Sequence, residues 1–516
     1  MTTSRRGVDL AVMLGLVGLA AALRLPNLAT RGTWDADQGH DMLVLRTWVQ
    51  DGIVPLLGPP TSIGDVHHGA LYYYLLAPAA FLTGGQSPLA VVVLIALAGI
   101  AAVAVTWWLA RSIGGPVAGL VAGLVLAVSG SAVDGSTFIW NPNFIALSSA
   151  IALAGAWKAW STGRPRWWIV AALGIAVTVQ SHVLGIAMAP IVGALLVMDW
   201  RRRTGSERAA VMRAGVAWVA IVVASYLPLV IHELRYDFSE LQAALAYLRG
   251  GGDPTAAGPL GRFPIVSLRV VTWPLSGLIT EAVVPAVVAA IAVVTIVVLR
   301  WRASESAERL AVRWLGLGLL WTCVFLTLAA PSLAVVIPDL PNDHYHAFAD
   351  PMVVVIIGLG AGAAWRATPG PGLPAFVPRA LAAAGVIVLC GWNLSTQPPA
   401  VNPDGGFPLA AEAADRIVAT TGAEPIALRS LPEFKSGEAY AYPLVRDGHT
   451  VLVVKGGYEA SNLVVICDAQ FEAAIGAACG GPAEDRLLAD EGPGLTLADR
   501  FEATPGRTIS VYVEAR

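Results

Sequence analysis

Trp34-Asp35-Ala36-Asp37-Gln38-Gly39-His40-Asp41 sets three carboxylates and an imidazole within eight residues, directly after the first long apolar run. A carboxylate held beside a membrane surface is partly desolvated, which raises its pKa toward the range where it accepts a proton at neutral pH. Asp37 is the candidate general base. Asp41, one turn further on if the segment is helical, is its orienting partner or a second substrate contact. Asp-Ala-Asp also matches the short pattern of metal–nucleotide sites, which leaves a divalent metal open; no other cofactor is indicated.

A second group lies at His67-His68-Gly69-Ala70-Leu71-Tyr72-Tyr73-Tyr74, preceded by Gly58-Pro59-Pro60-Thr61-Ser62-Ile63-Gly64. Imidazoles and phenols there offer hydrogen bonds to a polar ligand, while a tyrosine run also suits an interfacial aromatic belt. Further polar groups interrupt the apolar sequence at Ile139-Trp140-Asn141-Pro142-Asn143, Gln180-Ser181-His182, His232-Glu233-Leu234 and Asp343-His344-Tyr345-His346. Each has a structural alternative. Asn141 before Pro142 reads as a helix start with Asn as the cap, and His182 can merely bridge two spans. Gly115, Gly119 and Gly123, and likewise Gly358, Gly360 and Gly362, read as helix-packing faces, the second set failing the dinucleotide pattern.

The elements that position these groups are membrane spans. Of 516 residues, 56% are apolar and 13% charged, against roughly 25% charged in a soluble domain. Uncharged runs such as 91–110 and 283–299 approach the ~20 residues a bilayer requires. Eleven spans are expected, at 8–25, 88–110, 115–130, 144–160, 167–181, 183–199, 214–231, 276–299, 314–336, 349–365 and 379–394. One set of short connections carries Arg111, Lys158, Arg164, Arg166, Arg201, Arg202, Arg203, Arg300, Arg302, Arg366 and Arg379, with Arg5 and Arg6 before the first span. By the positive-inside rule this side and the N-terminus are cytoplasmic, and an odd count puts the C-terminus outside a plasma membrane. The other side takes Asp35, Asp37, Asp41, Asp65, Asp134, Glu233, Asp253, Asp339 and Asp343 together with every histidine. The long outer insertions 26–87 and 232–275 hold helical patterns at 70–82 and 238–249, suited to the interface. A net charge of −3 without a basic tail argues against a nucleic-acid partner.

From residue 395 a proline-containing linker leads into a region of ordinary soluble character, so residues 1–394 are expected as the transmembrane unit and 395–516 as a small exoplasmic α/β domain. Strand patterns fall at 425–428, 450–454, 463–466 and 508–513, and helical ones at 410–419 and 470–478. Outside the cell Cys467 and Cys479 can form a disulfide.

In their order and shared side of the membrane, the Asp37 loop, the His68–Tyr73 run, Asn141, His182, His232-Glu233 and Asp343-His344-Tyr345 resemble the GT-C glycosyltransferases, especially the family 39 group of protein O-mannosyltransferases and aminoarabinose transferases. The resemblance covers most of residues 8–394. It departs from the family at Gln38, where an acid is usual, and at Gly69-Ala70, where two prolines are. It implies a GT-C-like polytopic helical fold and transfer of a sugar from a polyprenyl-phosphate donor to a hydroxyl of a protein, lipid or polysaccharide acceptor at the outer face. Because phosphate leaves as a stable anion, one carboxylate suffices as base, and Asp37 takes that role. Substrate contacts would come from His68, Tyr72, Tyr73, Asn141 and His182, with Arg262, Arg269, His344 and Tyr345 facing the departing phosphate. The alternative is a transporter or flippase for a lipid-linked or envelope glycan. It fits less well, because charges cluster outside the spans and no internal repeat is present.

Overall fold

The computed structural model describes residues 3–61, 66–249, 258–303, 305–335, 343–368, 374, 376–422, 425–433, 437–452, 461–469 and 479–515. The expected helix at 470–478, the end of the strand at 450–454, the stretch Ser62 to Gly64, and Asp65, Asp253 and Asp339 lie outside these residues.

The chain is a multi-pass helical membrane protein. α1 (Thr3–Arg24) crosses to a short α2 (Leu28–Arg31), then α3 (Ala36–Asp51), the hairpin β1 (Leu57–Pro60) and β2 (His67–Gly69), and α4 (Leu71–Leu82). The bundle continues with α5 (Pro88–Gly114), α6 (Pro116–Val128), α7 (Gly130–Asp134), α8 (Ile145–Thr162), α9 (Arg166–Ser181), α10 (Met188–Arg201) and α11 (Gly205–Ser225). After α12 (Leu227–Arg235) and α13 (Ser239–Arg249) come α14 (Pro259–Ser276), α15 (Val283–Arg300), α16 (Ser306–Ala329), α17 (Asp350–Arg366) and α18 (Phe376–Ser395).

Among the described residues nine helices are long and apolar enough to cross a membrane, against eleven expected. The two shortfalls are α6, with 13 residues, and α9, with 16. At ~1.5 Å per residue they reach about 20 and 24 Å, short of a ~30 Å hydrocarbon core. Both lie largely buried among longer helices. The span expected at 276–299 starts later because Gly277, at φ 78°, ends α14 before α15 begins.

Small residues let the helices approach. A Cβ on Gly358 would meet the Ala118 carbonyl oxygen at 2.4 Å, and one on Gly123 would meet Leu16 at 2.7 Å. Gly115 differs from its neighbours in the series: at φ 87° it makes the turn between α5 and α6 instead of a packing contact.

Cations gather at one end of the bundle. Arg111 pairs with Asp9, Arg366 and Arg300 share Glu308, and Arg202 and Arg203 share Asp199. α1 runs from that end to the opposite one, where α2, α3 and the C-terminal region lie.

The C-terminal region contains α19 (Gly406–Thr421), β3 (Ile426–Leu431), α20 (Gly437–Arg446), β4 (Val451–Leu452), β5 (Asn462–Asp468), α21 (Pro482–Glu491), β6 (Leu495–Thr504) and β7 (Arg507–Glu514). Its sheet has the order β4-β3-β5-β7-β6, with β4, β3 and β5 parallel and β7 antiparallel to both β5 and β6. Cys467 and Cys479 form a disulfide. One apolar core joins this region to the first loop: Trp34, Met42, Leu45 and Leu76 cluster with Ile417, Tyr440, Tyr442 and Ile466.

Candidate functional site

α3 begins with a reciprocal cap. Asp35 receives the backbone N–H of Gln38, and the Gln38 Oε1 accepts the Asp35 N–H at 2.8 Å. The same Gln38 donates from Nε2 to the Ile139 carbonyl at 2.8 Å. A glutamate could make the cap but has no proton to give Ile139, so the departure from the usual acid follows from the two jobs of this side chain.

The cap fixes the first turn, and with it the acids. Asp37 stands exposed in that turn, while Asp41, one turn on, is 1% exposed. Two phenols hold the Asp41 carboxylate, Tyr72 donating to Oδ2 and Tyr73 to Oδ1, each at 2.8 Å. Burial pushes Asp41 up to about 7, against the pull of His40 and the two phenols and with some help from Asp37. Tyr72 and Tyr73 are therefore buried partners of an acid and not an interfacial belt. Tyr74 alone reaches the loop backbone, donating to the Pro55 carbonyl at 2.9 Å.

A second cluster forms from segments far apart in sequence. The His182 ring lies 5.2 Å from His68, 5.5 Å from His344 and 4.8 Å from Tyr345, centroid to centroid, and Trp140 packs 4.3 Å from His344. His182 ends α9 in an extended conformation, and its Nδ1 accepts the Leu184 N–H. Burial lowers His68 to about 4, helped by His67, and lowers His182 well below its usual range, helped by His344 and His68. Both rings are neutral hydrogen-bonding groups at physiological pH. The two clusters meet along the segment 68–73: His68 faces the imidazoles, and Tyr72, one turn later, lies between Asp41 and Phe144.

The other expected site residues fall into different places. Asn141 is no cap, since Trp140 precedes it in that position; its amide donates to the Ser181 carbonyl at 2.5 Å, tying the Trp140 and His182 segments together. Arg269 is fully engaged, with Nε and Nη2 on Asp343 at 3.0 and 2.6 Å and Nη1 on the Leu333 and Val335 carbonyls at 2.8 and 3.1 Å. His346 also bonds Asp343, at 2.9 Å. This buried ion pair anchors the short 3₁₀ helix Asp343–Ala349. Arg262, two turns earlier on the same face of α14, is 8% exposed, and its Nε has no hydrogen-bond partner among the described residues.

Two contacts were not foreseeable from any motif. Glu240 of α13 takes the His67 backbone N–H at 2.6 Å and its ring Nδ1 at 2.9 Å, clamping β2. Glu438 of α20 takes the His40 Nδ1 at 3.0 and 3.2 Å. Their partners lie 173 and 398 residues away, and no local pattern marks either acid. Among the described residues, Cys467, Cys479 and Glu484 alone bring three possible metal-ligand atoms within 4.8 Å, and both sulfurs are spent in the disulfide.

Residues 67–227 match the family model described as dolichyl-phosphate-mannose-protein mannosyltransferase. No curated protein matches the chain. Among solved structures, ArnT from Cupriavidus metallidurans in the apo state is similar at 13% identity and a TM-score of 0.60, over 99% of this chain and 98% of that one. The same protein bound to undecaprenyl phosphate is similar at 12% identity and a TM-score of 0.59, with the same coverage. A likeness that runs end to end over both chains extends to the C-terminal region as well as the bundle, and the protein has the fold of the GT-C glycosyltransferases.

Proposed function

We propose that this chain is a membrane glycosyltransferase that moves a sugar from a polyprenyl-phosphate donor to an acceptor hydroxyl on the outer face of the membrane. The observation that carries the reading is the convergence of the segments holding Asp41, His68–Tyr73, Asn141, His182 and His344-Tyr345 at one end of the bundle, opposite the cation-rich end. Orientation follows from the positive-inside rule: the arginine end is cytoplasmic, the site and residues 395–516 are outside, and residues 1–394 form the catalytic unit.

Asp37 takes the proton of the acceptor hydroxyl as that oxygen attacks the anomeric carbon. Asp41, behind it on α3 and fixed by two tyrosines, keeps the turn in register. The sugar–phosphate bond breaks with the electron pair on the phosphate oxygen. His68 and His182, being neutral, contribute hydrogen bonds to that phosphate, and Arg262, whose Nε has no partner among the described residues, contributes a positive charge. The ArnT structure with undecaprenyl phosphate supports a lipid-phosphate donor for this fold.

The test is sugar transfer by the protein in lipid from polyprenyl-phosphomannose, polyprenyl-phosphoglucose and polyprenyl-phosphoarabinose, with Asp37→Asn beside wild type. Turnover with one donor that falls ~10²-fold or more in the variant supports the reading. A folded wild type that transfers from none of them, yet moves a lipid-linked sugar across vesicles, favours the transporter or flippase instead.

A further inference from the structure

α3 carries the acids, and its far side is built from the C-terminal region. The backbones of α3 and α20 touch at Gly39, where a Cβ would fall 2.0 Å from the Glu438 carbonyl oxygen. The Trp34 indole donates to the Ala439 carbonyl at 2.8 Å, and Asp404 accepts from the Thr33 hydroxyl at 2.6 Å and the Trp34 N–H at 2.9 Å. Arg507 reaches Asp35, the cap of the same helix, at 3.0 Å while holding Asp468 at 3.2 Å. These contacts frame the Glu438–His40 pair, which lies between the C-terminal region and the acid turn. The ring and the carboxylate keep 28% and 34% of their side-chain surface, so both exchange protons with solvent.

We infer that Glu438 is a positioning residue of the transfer site: by holding the His40 ring on the acid turn of α3, it makes the C-terminal domain part of the reacting unit and not a separate recognition module. The inference rests on the glycosyltransferase reading for its kinetic arm only. The charged groups that face His40 are Glu438 from α20 and Asp37 and Asp41 from its own helix. Burial works against the charged ring, but the Glu438 hydrogen bond and charge, with smaller help from Asp41 and Asp37, outweigh it and raise His40 above its ordinary value. Protonated, the ring offers α3 a cation in contact with Glu438, next to Asp41 and one turn from Asp37; deprotonated, it withdraws that compensation from the acid turn.

The experiment uses full-length protein in lipid, with Glu438→Gln, Glu438→Asp, His40→Gln and the Glu438→Gln/His40→Gln pair. With the donor that wild type accepts, Glu438→Gln is expected to lose about tenfold in kcat with donor KM within about twofold, and its alkaline loss of activity should move down by about one pH unit. Glu438→Asp, which keeps the charge, should recover most of the loss, and the double variant should be no worse than the more impaired single one. Equal kcat and pH profile in Glu438→Gln and wild type would overturn the inference, as would Asp and Gln variants that fail alike or single losses that simply add. His40 protonation is read separately from the pH dependence of its acylation by diethyl pyrocarbonate, followed by mass spectrometry. If wild type transfers no sugar, the function reading fails, while a lower His40 titration in Glu438→Gln still supports the pair and an unchanged one removes it.

Discussion

The two ends of the bundle hold charge in opposite ways. At the arginine end the cations stay partly open, Arg111 keeping about a fifth of its side-chain surface and Arg366 nearly half, although the acids Glu308 and Asp199 that they and their neighbours pair with are buried. The more open pair there, Arg111–Asp9, contributes about 1 kcal/mol or less. At the site end the groups are dry: Asp41, Arg269, Asp343 and His346 are each at most 1% exposed and wholly dependent on named partners. Burying charge is costly unless every partner is in place, and that cost is accepted only where geometry matters more than stability. One end holds the protein in its membrane, and the other holds side chains in a fixed arrangement.

The contrast breaks most visibly at Arg269. Arg269→Ala leaves Asp343 buried without its guanidinium, at a cost of ~3–5 kcal/mol, whereas Arg111→Ala should cost less than about 1 kcal/mol. Thermal unfolding in detergent compares them, and similar losses for both would erase the distinction between the ends. Asp37→Asn comes next. A fall of ~10²-fold in transfer corresponds to about 2.7 kcal/mol of transition-state stabilisation, with Tm held near wild type because Asp37 is exposed. Arg111→Ala should transfer within twofold of wild type in the same assay.

Asp41 sharpens the comparison through pH. Its folded pKa is raised to about 7 from an unfolded value near 4, so the folded protein keeps a proton that the unfolded chain has already released. Stability from this group is intact below pH 4 and declines as pH rises toward 7, by about 2 kcal/mol between pH 5 and pH 7.5. Asp41→Asn cannot ionise and should lose that slope, melting above wild type at pH 7.5 while transferring sugar more slowly. An unchanged slope would mean that Asp41 is charged throughout and that the phenols alone support it.

What the sequence disclosed divides along the same line. Span positions and the cation-rich end were legible because hydropathy and loop charge are local, and the Cys467–Cys479 pair because the other two cysteines lie in apolar runs. The strands β3, β5 and β7 were legible from short apolar runs, but β6 was not, since this edge strand reads Thr-Leu-Ala-Asp-Arg-Phe-Glu and leaves most of its first half exposed. α6 and α9 connect the two ends with fewer residues than a full span, which the sequence did not show because composition does not mark where a helix stops short. His68, His182, His344 and Tyr345, far apart in sequence, do lie together in the structure. The pairing of Arg269 with Asp343 was not visible, because the two lie 74 residues apart. Glu240 was expected on the outer side, but its bond to His67 and that of Glu438 to His40 were invisible for the same reason. Long-range pairing leaves no periodic trace.

The smallest effect separates the three tyrosines. Tyr73 loses a buried donor to Asp41 when changed to Phe, and a carboxylate at 1% exposure then keeps one phenol instead of two. Where Asp41 is ionised, toward pH 7.5, a hydrogen bond to it is worth ~1.5–3 kcal/mol, and its loss should also raise the Asp41 titration. Tyr74, next in sequence, donates to the Pro55 carbonyl from a partly exposed position, so Tyr74→Phe forfeits a neutral bond that water can replace. Its expected cost is below about 1 kcal/mol, with transfer and the stability–pH slope unchanged. Thermal unfolding at pH 5 and pH 7.5 for both variants reads the difference. If Tyr74→Phe alters the slope as Tyr73→Phe does, the run acts as one aromatic surface, and the assignment of two phenols to Asp41 gives way to a belt.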